Sequence, residues 1–138
     1  CTEGGLATVD VSDPAKPKLL DTLLFDSATK AGEVFDVTLY GDYAYVADYR
    51  TGLYIVDIKD PANIVLKGSF TDFENKDDFL AYDVYINGTY LYLCCEHDGL
   101  YIFDITDPLK PVQQAHFSGP ASVGNQFYQT YPAASQVW

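Results

Sequence analysis

The chain has 138 residues, 48% of them hydrophobic and 15% aromatic against 20% charged, a composition that packs a core and excludes a disordered segment. Eight Lys and Arg stand against 20 Asp and Glu, and the resulting formal charge of -12 repels phosphate backbones and anionic lipid heads. Nucleic acid and direct membrane insertion are therefore excluded as partner classes, and no run approaches the roughly 18 apolar residues of a spanning helix.

The first patterned segment runs through Gly5, Leu6, Val9, Asp10 and Val11 and ends at Asp13-Pro14. A loop over 25–33 comes next. Residues 35–40 and 43–48 are then β-branched and aromatic runs separated by Gly41-Asp42, which predicts an antiparallel hairpin. Residues 53–58 are apolar on both faces apart from Asp57, as in a strand covered on both sides. Asp60-Pro61 enforces a turn, because proline fixes its own φ and pushes the residue before it out of the helical region. Residues 64–70 make a weaker, more polar fourth strand with Lys67 and Gly68, as suits an outer edge.

The same series returns after a loop over 71–81. Shifting the sequence by 47 residues aligns 35–70 with 82–117 without a gap, and 15 of those 36 positions are identical. The matches include Asp36/Asp83, Val37/Val84, Gly41/Gly88, Tyr45/Tyr92, Gly52/Gly99, Ile55/Ile102, Asp57/Asp104 and Pro61/Pro108. The segment from Gly5 to Pro14 is a third, partial copy one period upstream. Asn87-Gly88 is the second hairpin tip, and an Asn-Gly pair favours a type I′ turn. Four antiparallel strands per period, with no 3.6-residue apolar spacing, predict a β-propeller blade and exclude helical repeats.

The units are expected at 1–23 (second half of a blade), 24–70 (a blade), 71–117 (a blade) and 118–138 (the start of a degenerate or incomplete blade). In the last unit Thr130 and Tyr131 stand where the repeat expects Asp-Val. Cys1 aligns with Asp48 and Cys95, in mid-blade, and the sequence contains no methionine. We therefore expect about three blades' worth of a larger ring, or a processed product.

The runs Leu53-Tyr54-Ile55-Val56-Asp57, Leu100-Tyr101-Ile102-Phe103-Asp104 and Leu6-Ala7-Thr8-Val9-Asp10 resemble the signature of the LVIVD-repeat propellers. That resemblance covers residues 5–117 and implies an exported or surface protein of a bacterium or archaeon. It implies no catalytic residue, because the family is defined by its blade.

In a meander the loops alternate ends, so the second-to-third-strand loops and the blade-to-blade connections share one face. Binding groups concentrate on such variable loops held by a rigid frame. The candidates there are Asp48, Tyr49, Arg50, Phe73, Glu74, Asp77, Asp78, Glu96, His97 and Asp98. The opposite face carries only hairpin tips and Asp-Pro turns. Its repeated Asp-x-x-Asp-Pro segments read as turn anchors accepting backbone N–H bonds, since a calcium loop wants six to eight converging oxygens and a closing Glu.

Asp36 and Asp83, near the starts of the presumed innermost strands, read as strand-start caps or as part of an acidic ring around the channel. Cys94-Cys95-Glu96-His97 is the one cluster with soft ligands. Zinc needs about four converging ligands, and His116 stands apart near the end of an outer strand, so no metal or cofactor is expected. Adjacent strand residues point to opposite faces, so Cys94 and Cys95 read as packing groups rather than a pair. Asn87-Gly88-Thr89 fits the N-glycosylation pattern as well as a required turn. No nucleophile motif or phosphate loop is present.

The expected function is thus non-enzymatic: an extracytoplasmic, secreted or cell-surface propeller acting as a protein-interaction or assembly scaffold through its acidic, aromatic loop face. A protein partner, self-association or a carbohydrate fits that face. The alternative is a ligand-binding or hydrolytic propeller with a polar or calcium site at the channel mouth.

Overall fold

The computed structural model describes residues 4–25, 33–49, 51–70, 80–95 and 98–118. Among the described residues the fold consists of ten strands and no helix. They are β1 (Gly5–Asp10), β2 (Lys18–Leu24), β3 (Val34–Tyr40), β4 (Tyr43–Asp48), β5 (Gly52–Asp57), β6 (Val65–Phe70), β7 (Ala81–Asn87), β8 (Tyr90–Cys95), β9 (Gly99–Asp104) and β10 (Val112–Phe117). Sheet one holds β1 and β2, sheet two β3-β4-β5-β6 and sheet three β7-β8-β9-β10, all antiparallel neighbours in chain order. Each four-stranded sheet is one 47-residue unit, and the three sheets do not close into a ring among the described residues.

Period-two alternation decides how the sheets stack. On β4 and β5, Tyr45 pairs with Ile55 and Ala47 with Leu53, and these four face sheet three. Their neighbours Ala44, Val46, Tyr54 and Val56 point the other way and pack with Phe25, Ile64, Leu6 and Leu23 against sheet one. Both faces of the blade are therefore apolar, which is why residues 53–56 carry no polar–apolar alternation. Sheet three meets sheet two with Val84, Leu91, Leu93, Tyr101 and Phe103, and the Phe103 ring lies edge-on to Phe70 at 4.8 Å.

Polar bonds repeat at the sheet-to-sheet seams. The Thr8 hydroxyl donates to the Pro61 carbonyl at 2.6 Å, and the Tyr45 hydroxyl donates to the Pro108 carbonyl, one period on, at 2.8 Å. Burial pushes the Tyr45 phenol up, so it stays protonated as that bond requires. The turns themselves are built three times over. Oδ1 of Asp13, Asp60 and Asp107 accepts the N–H two residues on, and their carbonyls accept N–H from Lys16, Asn63 and Lys110. Asp10, Asp57 and Asp104 likewise take N–H from Ser12, Lys59 and Thr106. Hydrogen bonds from these residues, led at Asp104 by the Thr106 hydroxyl, hold all three carboxyls below the usual aspartate range.

The hairpin tips correct one expectation. Asn87 pairs with Tyr90, so the two-residue loop is Gly88-Thr89 rather than Asn87-Gly88. Gly88 has φ +62° and Gly41 φ +58°, while no described non-glycine residue has a positive φ. A type I′ turn requires positive φ at both central positions and a type II′ turn at the first alone, so both tips follow the II′ pattern.

Two sets of β-bulges also recur in phase. In sheets two and three the inner strand gains one residue against its neighbour, at Phe35 and at Tyr82. In all three sheets the outermost strand gains one, at Leu20, Lys67 and Gln114. A bulge bends its strand and re-aims the extra side chain. The outer set adds twist along an exposed edge. The inner set lies at the loop end of the blades, where it redirects the rings of Phe35 and Tyr82.

Candidate functional site

Strand direction places the starts of β3 and β7, the β4–β5 and β8–β9 loops and the ends of β6 and β10 at one end of the blades. The hairpin tips and Asp-Pro turns occupy the other. Of the sequence candidates at the loop end, Asp48, Tyr49 and Asp98 are described. Arg50, Phe73, Glu74, Asp77, Asp78, Glu96 and His97 lie outside the described residues.

Asp48 is fully buried, not presented to solvent. Its Oδ1 accepts from the Thr51 amide at 3.2 Å and from the Thr51 hydroxyl, closing the loop on itself. Asp98 is 7% exposed and equally committed. It accepts the Tyr101 hydroxyl, and the His116 ring lies flat on Tyr101 with centroids 4.0 Å apart. His116 Nε2 sits 2.6 Å from the Asp98 carbonyl and 3.7 Å from its carboxylate. Both acids are therefore buried and bonded within the described structure, Asp48 to Thr51 of its own loop and Asp98 to Tyr101 beside His116. His116, read from the sequence as standing apart, belongs to the Asp98 anchor. Their separation of 18 positions hides that contact from local pattern.

Tyr49 is the candidate that reaches a shared site. Its ring lies 5.1 Å from Phe35 and 5.1 Å from Tyr82, and Phe35 and Tyr82 meet edge-on at 4.8 Å. Its amide donates to the Glu33 carbonyl and its own carbonyl accepts from Ala81, so its backbone ties β3 of one blade to β7 of the next. The two partners are the bulged residues of consecutive blades. Without the bulges, period two would send Phe35 and Tyr82 to the faces of Val37 and Val84. Phe35 is 50% exposed.

Asp36 and Asp83 follow these aromatics directly. An Asp36 carboxylate oxygen accepts the Val84 N–H across the blade junction at 3.0 Å. The Asp83 carboxyl is pushed up to about 6, first by burial and then by the hydrogen bond and like charge of Asp36. The pair therefore joins the inner strands of two blades, which makes it more than the strand-start cap considered from sequence. The signal that could have found this group was the phase itself: an aromatic directly before Asp-Val in both copies.

Neither thiol is activated. Burial pushes Cys94 up to about 11 and raises Cys95 as well, with Asp83 and Asp98 respectively adding to the effect. Both cysteines are free; Cys95 is packed in the core and Cys94 is half-buried on the other face of β8. Asn87 is exposed at the end of β7, at the end opposite the loops.

A family model described as the LVIVD repeat matches residues 2–23, 31–72 and 80–117 of the chain. The three matched stretches cover the three sheets, and the chain belongs to the LVIVD-repeat family. No curated protein matches it in sequence.

Proposed function

We propose that this LVIVD-repeat chain is a non-enzymatic recognition module that takes a cationic segment of a protein partner at the loop end of its blades. The observation that carries this reading is the aromatic cluster of Phe35, Tyr49 and Tyr82, assembled by in-phase bulges from two blades and half open at Phe35. An open aromatic face beside carboxylates suits an ammonium or guanidinium group, each such contact contributing about 0.5–2 kcal/mol. A formal charge of -12 draws a cationic partner in from a distance. Raised, buried thiols are poor nucleophiles, which weighs against thiol chemistry and lets both cysteines persist in an extracytoplasmic or cell-surface setting.

Titration calorimetry with a Lys/Arg-rich peptide, an acidic peptide of equal length and a neutral oligosaccharide tests the proposal. Binding of the cationic peptide alone is expected, weakening with salt. Affinity should rise as pH increases through about 6, because a bound cation favours ionised Asp83 and expels its proton. Binding of the oligosaccharide alone would replace the cationic partner with a carbohydrate. A melting temperature raised by more than about 10 °C on adding calcium would favour the alternative of a calcium site at the channel mouth.

A further inference from the structure

We propose that the step from Asn87 to Gly88, at the tip of the β7–β8 hairpin, is a self-modification site at which the chain deamidates to aspartate and isoaspartate with water as the only co-reactant. The Gly88 backbone nitrogen loses its proton and attacks Cγ of Asn87. The Cγ–Nδ2 bond breaks, ammonia leaves and a cyclic succinimide remains. Water then opens that ring at either carbonyl. One opening leaves an aspartate in the ordinary chain, and the other routes the chain through the side chain, adding its methylene to the backbone opposite Tyr90. Water enters and ammonia departs, so no oxidant or reductant is needed.

The sequence holds four asparagines, and only Asn87 precedes glycine. Asn87 and Gly88 are both exposed, and a Cβ on Gly88 would meet nothing within 4 Å, so no side chain obstructs the approach of Cγ. The ladder pairs Asn87 with Tyr90 and leaves the Gly88 nitrogen in the two-residue turn outside it. Closing the ring requires ψ of Asn87 to leave the strand, which disturbs only the last pair of the ladder, where local opening is easiest. The opening is a property of the turn. Gly41, at the same tip of sheet two, also stands in open space although sheet three packs beside that sheet, and Tyr40, the counterpart of Asn87, is only half-buried there.

Two comparable steps are obstructed. Asn63 is exposed too, but it precedes Ile64, which is buried and β-branched and whose N–H donates to Asp21 Oδ2 at 2.8 Å. Asp98 precedes a glycine, but its carboxylate accepts the Tyr101 hydroxyl and the Phe117 carbonyl crowds Gly99.

Prolonged incubation of the folded chain at neutral pH, read by peptide mapping in a mass spectrometer and by an isoaspartate methyltransferase assay, tests the proposal. A synthetic peptide of residues 83–92 supplies the unhindered rate. Asn87 is expected to convert at least about tenfold faster than Asn63, a barrier difference of about 1.4 kcal/mol. Its rate should climb with pH, because the attacking nitrogen must lose its proton, and Asn87→Gln should abolish the isoaspartate signal. An intact Asn87 in the folded chain once the peptide has converted would overturn the proposal. So would an Asn63 that converts as fast, or an isoaspartate signal that Asn87→Gln leaves unchanged.

Discussion

The two ends of the blades use the same residue types in opposite ways. At the hairpin-tip end, six aspartates in three copies all accept backbone N–H groups from their own turns, so repetition there marks construction. At the loop end the copies diverge, and contacts cross from blade to blade: Tyr49 to Tyr82, Asp36 to the Val84 amide, Ala81 to the Tyr49 carbonyl. An acidic residue is informative about function only where its oxygens are not already committed to its own backbone. Asp48 spends an oxygen on the Thr51 amide of its own loop, whereas Asp36 reaches the Val84 amide of the next blade.

The sharpest contrast lies in two glycines with the same sign of φ. Gly99, at the loop end, has φ +87°, and a Cβ there would run into the Phe117 carbonyl. Gly41, at the tip end, has φ +58° with open space around it. Gly99→Ala should cost about 2–4 kcal/mol from the left-handed backbone and the collision together. Gly41→Ala should cost about 1–2 kcal/mol from the backbone alone. Chemical denaturation of the two variants measures the difference, and equal losses would mean that the loop end is not the more tightly packed.

A smaller effect separates acceptor from charge at the blade junction. Asp36→Ala leaves the buried Val84 amide without that acceptor and should cost about 1–3 kcal/mol. Asp36→Asn retains an acceptor oxygen while removing the charge, so it should cost less and return Asp83 toward the ordinary aspartate range. Carboxyl chemical shifts of Asp83 across pH would show this directly. An unchanged titration in Asp36→Asn would mean that burial alone raises Asp83.

The smallest effect is the pH profile of stability, in which the two ends have opposite signs. Asp83 rises from 3.8 to about 6 on folding, so its contribution is present below about pH 4, falls as pH climbs to about 6 and is flat above. Asp10, Asp57 and Asp104 are lowered, so theirs is present above about pH 4 and lost in acid. Urea midpoints measured from pH 3 to pH 8 should decline between about 4 and 6, and Asp83→Asn should remove that decline. A midpoint that rises through that window would contradict the assignment.

The frame was legible in the sequence because it is written in residues with one physical meaning each. Pro61 and Pro108 fix turns, Gly41 and Gly88 supply positive φ, and the runs from Leu53 and Leu100 become β5 and β9 at matching places in separate sheets. The turn type was not legible, because it depends on pairing register: Asn87 belongs to the strand once it opposes Tyr90. The bulges were hidden for a related reason, since an extra residue leaves composition unchanged and only alters which face the next side chain takes. The anchoring of Asp48 was within reach of the sequence, as Thr51 stands three residues on with both an amide and a hydroxyl to give. That of Asp98 was legible only in part: Tyr101 also stands three residues on, but His116 arrives from the outermost strand.

Whether recognition belongs to the loop end and architecture to the tip end is decided by comparing Phe35→Ala with Leu39→Ala. Both residues are exposed on β3, at 50% and 64%, and they occupy opposite ends of the blade. In titrations with the cationic peptide, Phe35→Ala should bind at least about tenfold more weakly, equivalent to about 1.4 kcal/mol, and Leu39→Ala should bind as the wild type does. Equal losses, or a loss confined to Leu39→Ala, would contradict that division between the two ends.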